Sequence, residues 1–496
     1  DHFNLEIRNK GDLDAPFSVT AMKDGKTLET KWYPAPTAGD RSEIQFPGTE
    51  ADAFVIDRDH DVLDVNRKNN FRRVGGLLPG FEPLKIQGIA AFRNSGRTTV
   101  GVLPWLGWNN YDKTMIGAVF YNPPLPAPGF QYYLAPGFAI GSKQFAGLAD
   151  LRYKFLPGGL LSRITLGLSA KTFDYDYNAQ DDYYLKFYRI VPQIAIDLRD
   201  RSVSFSHRLS FRTLFIGKEN DVRTDGVFTG KTYDRYTIFE TRYEASQRKA
   251  PNPYKLTTVL EWQNGRDAFG DKGKYLRGSV EWDQKFYYAP KRKVNLRVFA
   301  GGFLKNDFRN DGIIAGDPAR ASFALNPQGF NDYRFDQVFL NRNGIDGPFA
   351  RQVSKTEGGF KSAFGYPNAG TIGNSNNFIF ALNLKADLPR RLPLGIPLKP
   401  WFDIGYFDDH TPLGQNRPKN EQLLWSGGLM LEFFSGNLEV YFPLVNSKTL
   451  KAKYLEAGGG SNSSALFGGG NYFKWISWSF KFPKLDPLEV LENFSF

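Results

Sequence analysis

None of the 496 residues is cysteine, which excludes a disulfide framework and any thiolate metal site. Histidine is nearly absent too. His2, His60, His207 and His410 lie too far apart for a zinc pair of the HExxH kind. No apolar run is written like a membrane-spanning helix. The best of them, residues 114–142, carries Pro123, Pro124, Pro126, Pro128 and Pro136. A mean hydropathy of −0.42 and a charged content of 23% argue against a bundle of such helices. The chain begins at Asp1 without a charged-then-apolar leader, as a processed or fragment sequence would.

What is abundant points to strands. Aromatic residues make up 16%, with 44 Phe and 24 Tyr, alongside 50 Gly and 30 Pro, a mixture suited to many strands and turns. The length calls for two to four domains or one very large one. The net charge is +11, but the basic residues alternate with aromatics and form no patch, so nucleic acid is not the implied partner.

Residues 1–75 read as a small β-sandwich. Phe3 to Ile7 alternates, and Phe17–Lys23 and Thr27–Tyr33 flank Asp24-Gly25, a dipeptide suited to a tight hairpin turn because both positions take positive φ. Asp57, Asp59 and Asp61 form a carboxylate cluster. It has neither the Gly nor the terminal Glu of a calcium loop and reads as a solvated turn. Residues 76–97, rich in Gly and Pro, read as a linker.

From Thr98 the pattern changes to long alternating segments. Val203, Phe205, Leu209 and Phe211 oppose Ser204, Ser206, Arg208 and Ser210, and Phe378, Phe380, Leu382 and Leu384 oppose Asn383, Lys385 and Asp387. Soluble sandwiches alternate as well. Three further features favour a membrane barrel: strand lengths at or above the 9–11 residues that cross a bilayer, full charges on the polar face, and terminal aromatic pairs such as Tyr132-Tyr133, Tyr183-Tyr184 and Tyr287-Tyr288. Sixteen strands are expected: 98–109, 113–122, 130–140, 144–155, 162–177, 183–199, 202–217, 235–248, 254–265, 274–288, 294–304, 378–389, 399–409, 423–434, 436–445 and 472–482. Links after even strands are short or Pro/Gly-rich. The long insertions, Lys218–Asp234, Lys305–Asn377, His410–Gln422 and Asn446–Asn471, all follow odd strands. Short turns on one side and long loops on the other are the asymmetry of an outer-membrane barrel. Lipid offers no hydrogen bonds, so spanning strands must close on themselves. The expected fold is therefore all-β, a small immunoglobulin-like β-sandwich followed by a transmembrane antiparallel barrel over residues 98–482 with a tail over 483–496.

The insertion Lys305–Asn377 is 73 residues, far beyond what a connection needs. It holds the run Asp332 to Arg342 and the glycines Gly358-Gly359. Strand 13 reads Trp401-Phe402-Asp403-Ile404-Gly405, and the penultimate strand reads Gly436 to Leu444. Over these last strands the chain resembles the sixteen-stranded superfamily of outer-membrane insertases and two-partner-secretion transporters. In that family a long sixth loop enters the lumen, and an Arg at its tip pairs with an Asp on strand 13. The resemblance implies a lumenal pair between Arg342 and Asp403, with Arg334 as the substitute, although the family's Val-Arg-Gly-Phe loop tip is absent here.

Residues 17–70 resemble the immunoglobulin-like domain that follows the catalytic domain in zinc aminopeptidases of the aminopeptidase N type. Some Bacteroidetes members of that family continue into a membrane barrel. The resemblance implies a non-catalytic carboxy-terminal half, with a periplasmic sandwich on an outer-membrane barrel and a zinc-peptidase domain upstream. The zinc motif and the Gly-x-Met-Glu-Asn loop are missing, so no catalytic, cofactor or metal residue is carried over. Three roles compete: an anchor for the sandwich, a transporter or insertase, and a diffusion pore. The long loop disfavours an open pore, and the sandwich is unlike the repeated α/β modules of insertases, which leaves the anchor first and the transporter second. Partners implied are outer-membrane lipid, the barrel-assembly machinery acting on the aromatic carboxy-terminal strand, and members of a membrane-protein complex. Ser206 and His207 make no hydrolase constellation. His207 reads as a residue of the lipid edge, and the glycines of 458–470 lack the Lys-Ser/Thr of a phosphate cradle.

Overall fold

The structure is a computed structural model. It describes all residues except 1, 11–13, 38, 48–49, 63, 65–66, 78, 91, 93–96, 126–127, 200–204, 226, 248–250, 267–271, 311–320, 343–346, 365–371, 390–395, 409–421, 458–474 and 482–496. The tail, the Gly/Ser loop and His410 therefore lie outside the described residues. Two compact units are present, residues 1–104 with 119–128, and residues 105–118 with 129–496.

In the first unit, β1 (His2–Arg8) pairs with β4 (Arg41–Pro47). A second sheet runs β3 (Lys26–Tyr33), β2 (Phe17–Lys23), β5 (Ala53–Ile56), β6 (Phe71–Arg73). Phe17, Val19, Ala21, Ile44, Phe46 and Phe54 form the core between them, and Phe46 meets Phe54 edge to face at 5.4 Å. Asp24 and Gly25 take φ of 51° and 78°, the positive values that the turn demands. Asp57 does not wait for a cation. One carboxylate oxygen accepts the backbone N–H groups of Asp61 and Val62 at 2.8 and 3.2 Å, and Arg67 pairs with the other at 3.2 Å.

The large sheet is a closed barrel. Its strands are β7 (Leu84–Gln87), β8 (Thr98–Asn109), β9 (Lys113–Tyr121), β10 (Phe130–Ala139), β11 (Phe145–Phe155), β12 (Leu161–Asn178), β13 (Tyr183–Leu198), β14 (Phe205–Thr224), β15 (Val227–Gln247), β16 (Tyr254–Arg266), β17 (Lys272–Ala289) and β18 (Arg292–Asn306). After the inserted ribbon β19 (Phe323–Ala324) and β20 (Asn374–Ser375), it resumes with β21 (Phe378–Ala386), β22 (Leu398–Asp408), β23 (Leu423–Phe433), β24 (Leu438–Asn446) and β25 (Ser477–Phe480). The alternation sorts side chains as lipid requires. Phe239, Leu260, Trp262, Phe380 and Phe402 point outward, while their neighbours Glu240, Glu261 and Asp403 are buried inside. An apolar outside with a charged inside is the inverse of a soluble protein.

Four expectations need correction. Lys218–Asp234 is not a loop, because β14 and β15 stay paired from Lys218↔Asp234 out to Thr224↔Val227 and turn at Asp225, whose φ is 53°. At 20 and 21 residues these strands outrun the bilayer and carry a charged hairpin beyond it. Tyr183, at the start of β13, packs on that hairpin rather than standing free in a lipid girdle, its ring lying 4.5 Å from Phe228 of β15. The 76–97 linker contributes strand β7, parallel to β8. The start of the expected last loop is the helix α1 (Lys448–Ala457), rich in the helix formers Lys, Ala and Leu and seated by buried Leu450, while β25 itself spans four residues.

The close approach of β23 and β24 gives a test of the barrel. A Cβ on Gly428 would overlap the carbonyl oxygen of Phe442, a backbone atom with nowhere to go. On Gly278 it would make ordinary van der Waals contacts, with the Val259 carbonyl at 3.7 Å and Leu260 Cδ1 at 3.9 Å. Gly428→Ala is expected to lose about 1–3 kcal/mol in urea unfolding followed by tryptophan fluorescence. Gly278→Ala should be close to neutral.

Candidate functional site

The segment between β18 and β21 enters the lumen and is held by two layers of physics. The first is apolar. Leu325, Phe360, Phe364 and Ile372 from the loop join Ile379, Ala381, Phe407 and Leu424 from the wall in one buried cluster. Two glycines allow this approach. A Cβ on Gly405 of β22 would strike Leu325 and Phe360, and one on Gly358 would strike the backbone of Leu325. The Gly of the strand-13 motif is therefore the place where the plug lies against the wall.

The second layer is ionic. Asp403 has no exposed surface. It accepts the Lys361 ammonium at 2.6 Å, the Lys361 backbone N–H at 2.8 Å and the Asn383 side-chain amide at 3.0 Å. Lys361 also lies 5.3 Å from the Trp401 ring centroid, and its carbonyl accepts the Ser477 hydroxyl from β25. Low dielectric and full hydrogen bonding make this a tight, directional latch.

Across the lumen, Arg334 reaches between two wall carboxylates. It pairs with Glu240 of β15 at 3.1 Å and with Glu261 of β16. Glu261 is shared with Arg277 at 3.2 Å and accepts the Tyr275 hydroxyl, which in turn lies 2.6 Å from the Tyr333 hydroxyl of the loop. Glu240 is shared with Arg212 at 2.7 Å, and Arg212 also holds Asp336 of the loop at 3.0 Å, with Arg189 as a second partner. A third chain links Lys355 of the loop to Glu439 at 2.6 Å. It continues through Lys385 to Glu432 at 2.7 Å, and through Lys399 to Asp387 at 2.8 Å.

The structure does not bring Arg342 and Asp403 together. Arg342 pairs with Asp332 at 3.1 Å, donates to the carbonyls of Gly329, Asp332 and Gln337, and stacks 4.1 Å over Phe335. It folds the loop onto itself. The partner of Asp403 is Lys361, which sequence reasoning passed over because it looked for a guanidinium. The signal was present in Gly358-Gly359-Phe360-Lys361, two glycines that permit close approach followed by a cation, with Gly359 at a φ of 61°. Arg334, the named substitute, does bind the wall, but at Glu240 and Glu261. His207 shares a hydrogen bond with the Tyr243 hydroxyl at 2.8 Å, and its ring lies parallel to that of Phe205.

No protein-family model matches the chain, and no curated protein does. Solved structures are similar to it. CdiB from Escherichia coli is 13% identical with a TM-score of 0.35, covering 70% of this chain and 59% of its own. CdiB from Acinetobacter baumannii is 8% identical with a TM-score of 0.32, covering 74% and 71%. BamA from Haemophilus ducreyi lacking POTRA domains 1-3 is 11% identical with a TM-score of 0.37, covering 71% and 68%. The chain thus spans under two thirds of the E. coli CdiB chain.

Proposed function

We propose that this chain is an outer-membrane barrel sealed by its own sixth loop, and that it anchors the amino-terminal sandwich at the periplasmic face instead of conducting solutes. The observation that carries this reading is the seating of one loop by buried ion pairs on widely separated strands, Asp403 on β22 and Glu240 and Glu261 on β15 and β16. A diffusion pore needs a wet lumen, and here the loop supplies both an apolar cluster and the counter-charges of the wall. The sandwich precedes β8, whose first residue lies on the short-turn side, and in outer-membrane barrels that side faces the periplasm. Insertion is expected to require the barrel-assembly machinery. Following the resemblance of residues 17–70, the anchored cargo includes a zinc-peptidase domain on the same polypeptide. That part rests on the resemblance alone. Chelator-sensitive aminopeptidase activity in the protein isolated from its native membranes supports it, and inactivity removes it.

The anchor reading is tested in planar bilayers. The intact chain should show no steady conductance. A variant in which residues 323–375 are replaced by a short Gly-Ser linker should conduct continuously. Steady conductance in the intact chain, or a folded deletion variant that stays closed, overturns the proposal.

A further inference from the structure

We propose that the described residues of the stretch 74–92 form an apron seated in the bilayer interface, with phospholipid as its partner; the inference rests on the membrane-barrel reading above. Leu77, Phe81, Leu84, Ile86, Ile89 and Phe92 all point into the open, with exposures from 51% to 102%. Water-soluble surfaces scatter such side chains singly and rarely line them up along one stretch of chain.

The stretch is also held in place. The Arg73 N–H donates to the Pro79 carbonyl at 2.7 Å, and the Val74 N–H to that of Asp52 at 2.9 Å. Strand β7 pairs in parallel with β8 from Leu84↔Thr98 to Gln87↔Gly101. The ladder is lengthened by the Thr98 N–H on the Pro83 carbonyl at 3.1 Å and the Val102 N–H on that of Gly88 at 3.3 Å. Ala90 is buried, its N–H donating to the Tyr121 hydroxyl at 3.0 Å, and Phe92 bridges to Leu125 beyond β9. From Pro83 to Phe92 the backbone is thus tied at several points to β8, Tyr121 and Leu125, while the apolar side chains of the stretch stay exposed.

That arrangement continues the lipid-facing wall. A segment hydrogen-bonded to a barrel strand and greasy on its outer side is what hydrocarbon selects. Exposed Arg72 and Arg73 flank the strip, and Lys85 and exposed Arg97 lie along it. Cations at that depth meet lipid phosphates, and Phe81 supplies an interfacial ring. Phe92 bridges to Leu125, which lies in the β9–β10 turn, and this places the apron at the short-turn rim of the barrel.

The missing cysteines make the test clean. Single-cysteine variants Leu77→Cys and Ile89→Cys carry an environment-sensitive fluorophore in vesicles of phosphatidylethanolamine and phosphatidylglycerol. Trp32→Cys on the sandwich is the aqueous reference, and Phe380→Cys on the barrel wall is the lipid reference. Brominated acyl chains should quench the apron labels at least half as strongly as Phe380→Cys, and iodide should quench them several-fold less than Trp32→Cys. Iodide quenching equal to that of Trp32→Cys overturns the proposal, because the strip then faces water. Shielding from both quenchers also overturns it, because protein then covers the strip. If Phe380→Cys escapes brominated lipid, the barrel reading fails as well. If only the apron labels escape, the apron alone fails.

Discussion

Asp403→Ala should unseat the plug. The substitution removes the carboxylate that, among the described residues, meets the Lys361 ammonium, and leaves that cation buried beside the Trp401 ring. Breaking a buried pair from one side costs about 3–5 kcal/mol, because the abandoned charge keeps its desolvation penalty and loses its compensation. At about 1.4 kcal/mol per factor of ten, that shifts a seated-to-unseated equilibrium by two to three and a half decades. The expected readouts are intermittent conductance in bilayers and trypsin cleavage within residues 321–364, both absent from the parent chain. Replacing the pair together, Lys361→Met with Asp403→Leu, should recover most of the loss, since two apolar side chains need no compensation. Equal leakiness in the single and double variants would show that shape, not charge, seats the loop at this point.

Reading the sequence located most of the wall and little of the latch. Strands such as 98–109, 130–140 and 254–265 were legible because each buries one face in lipid and turns the other to the lumen, so apolar residues recur every second position. The β14–β15 extension was illegible for the opposite reason. Beyond Lys218 the apolar stripe stops, and Glu219, Asn220 and Asp221 follow one another, although Asp225-Gly226 repeats the turn dipeptide read correctly at Asp24-Gly25. Strand β7 was hidden by its length of four residues and by Pro and Gly around it. In the plug, charged residues pair with partners a hundred or more positions away in some cases, as Arg189 does with Asp336, and periodicity carries no information about such pairs. Asp403 was identifiable because its strand has a fixed pattern. Its partner was not, because the loop has none.

Glu261→Gln should be more damaging than Arg334→Met, although the two residues belong to one ion pair. The carboxylate of Glu261 serves two guanidiniums, Arg277 and Arg334, and also accepts the Tyr275 hydroxyl. Neutralising it leaves Arg334 with Glu240 but strips Arg277 of its carboxylate partner among the described residues, in a region where the side chains of Arg277 and Glu261 are 9% and 4% exposed. The penalty is again about 3–5 kcal/mol. Removing Arg334 instead leaves each wall carboxylate with another partner, since Glu261 retains Arg277 and Glu240 retains Arg212. The methionine fills most of the vacated volume, and the expected loss is about 1–2 kcal/mol, comparable to a hydrogen bond involving a charged group. Thermal unfolding in detergent, read as the temperature at which the folded band disappears in an unboiled gel, should place the parent chain first, Arg334→Met next and Glu261→Gln last. Molar salt should leave the order unchanged, because screening acts weakly on groups that water does not reach. The reverse order would mean that the carboxylate is protonated in the native barrel, that Arg277 is neutralised elsewhere, and that the loop is held at this point by Arg334 alone.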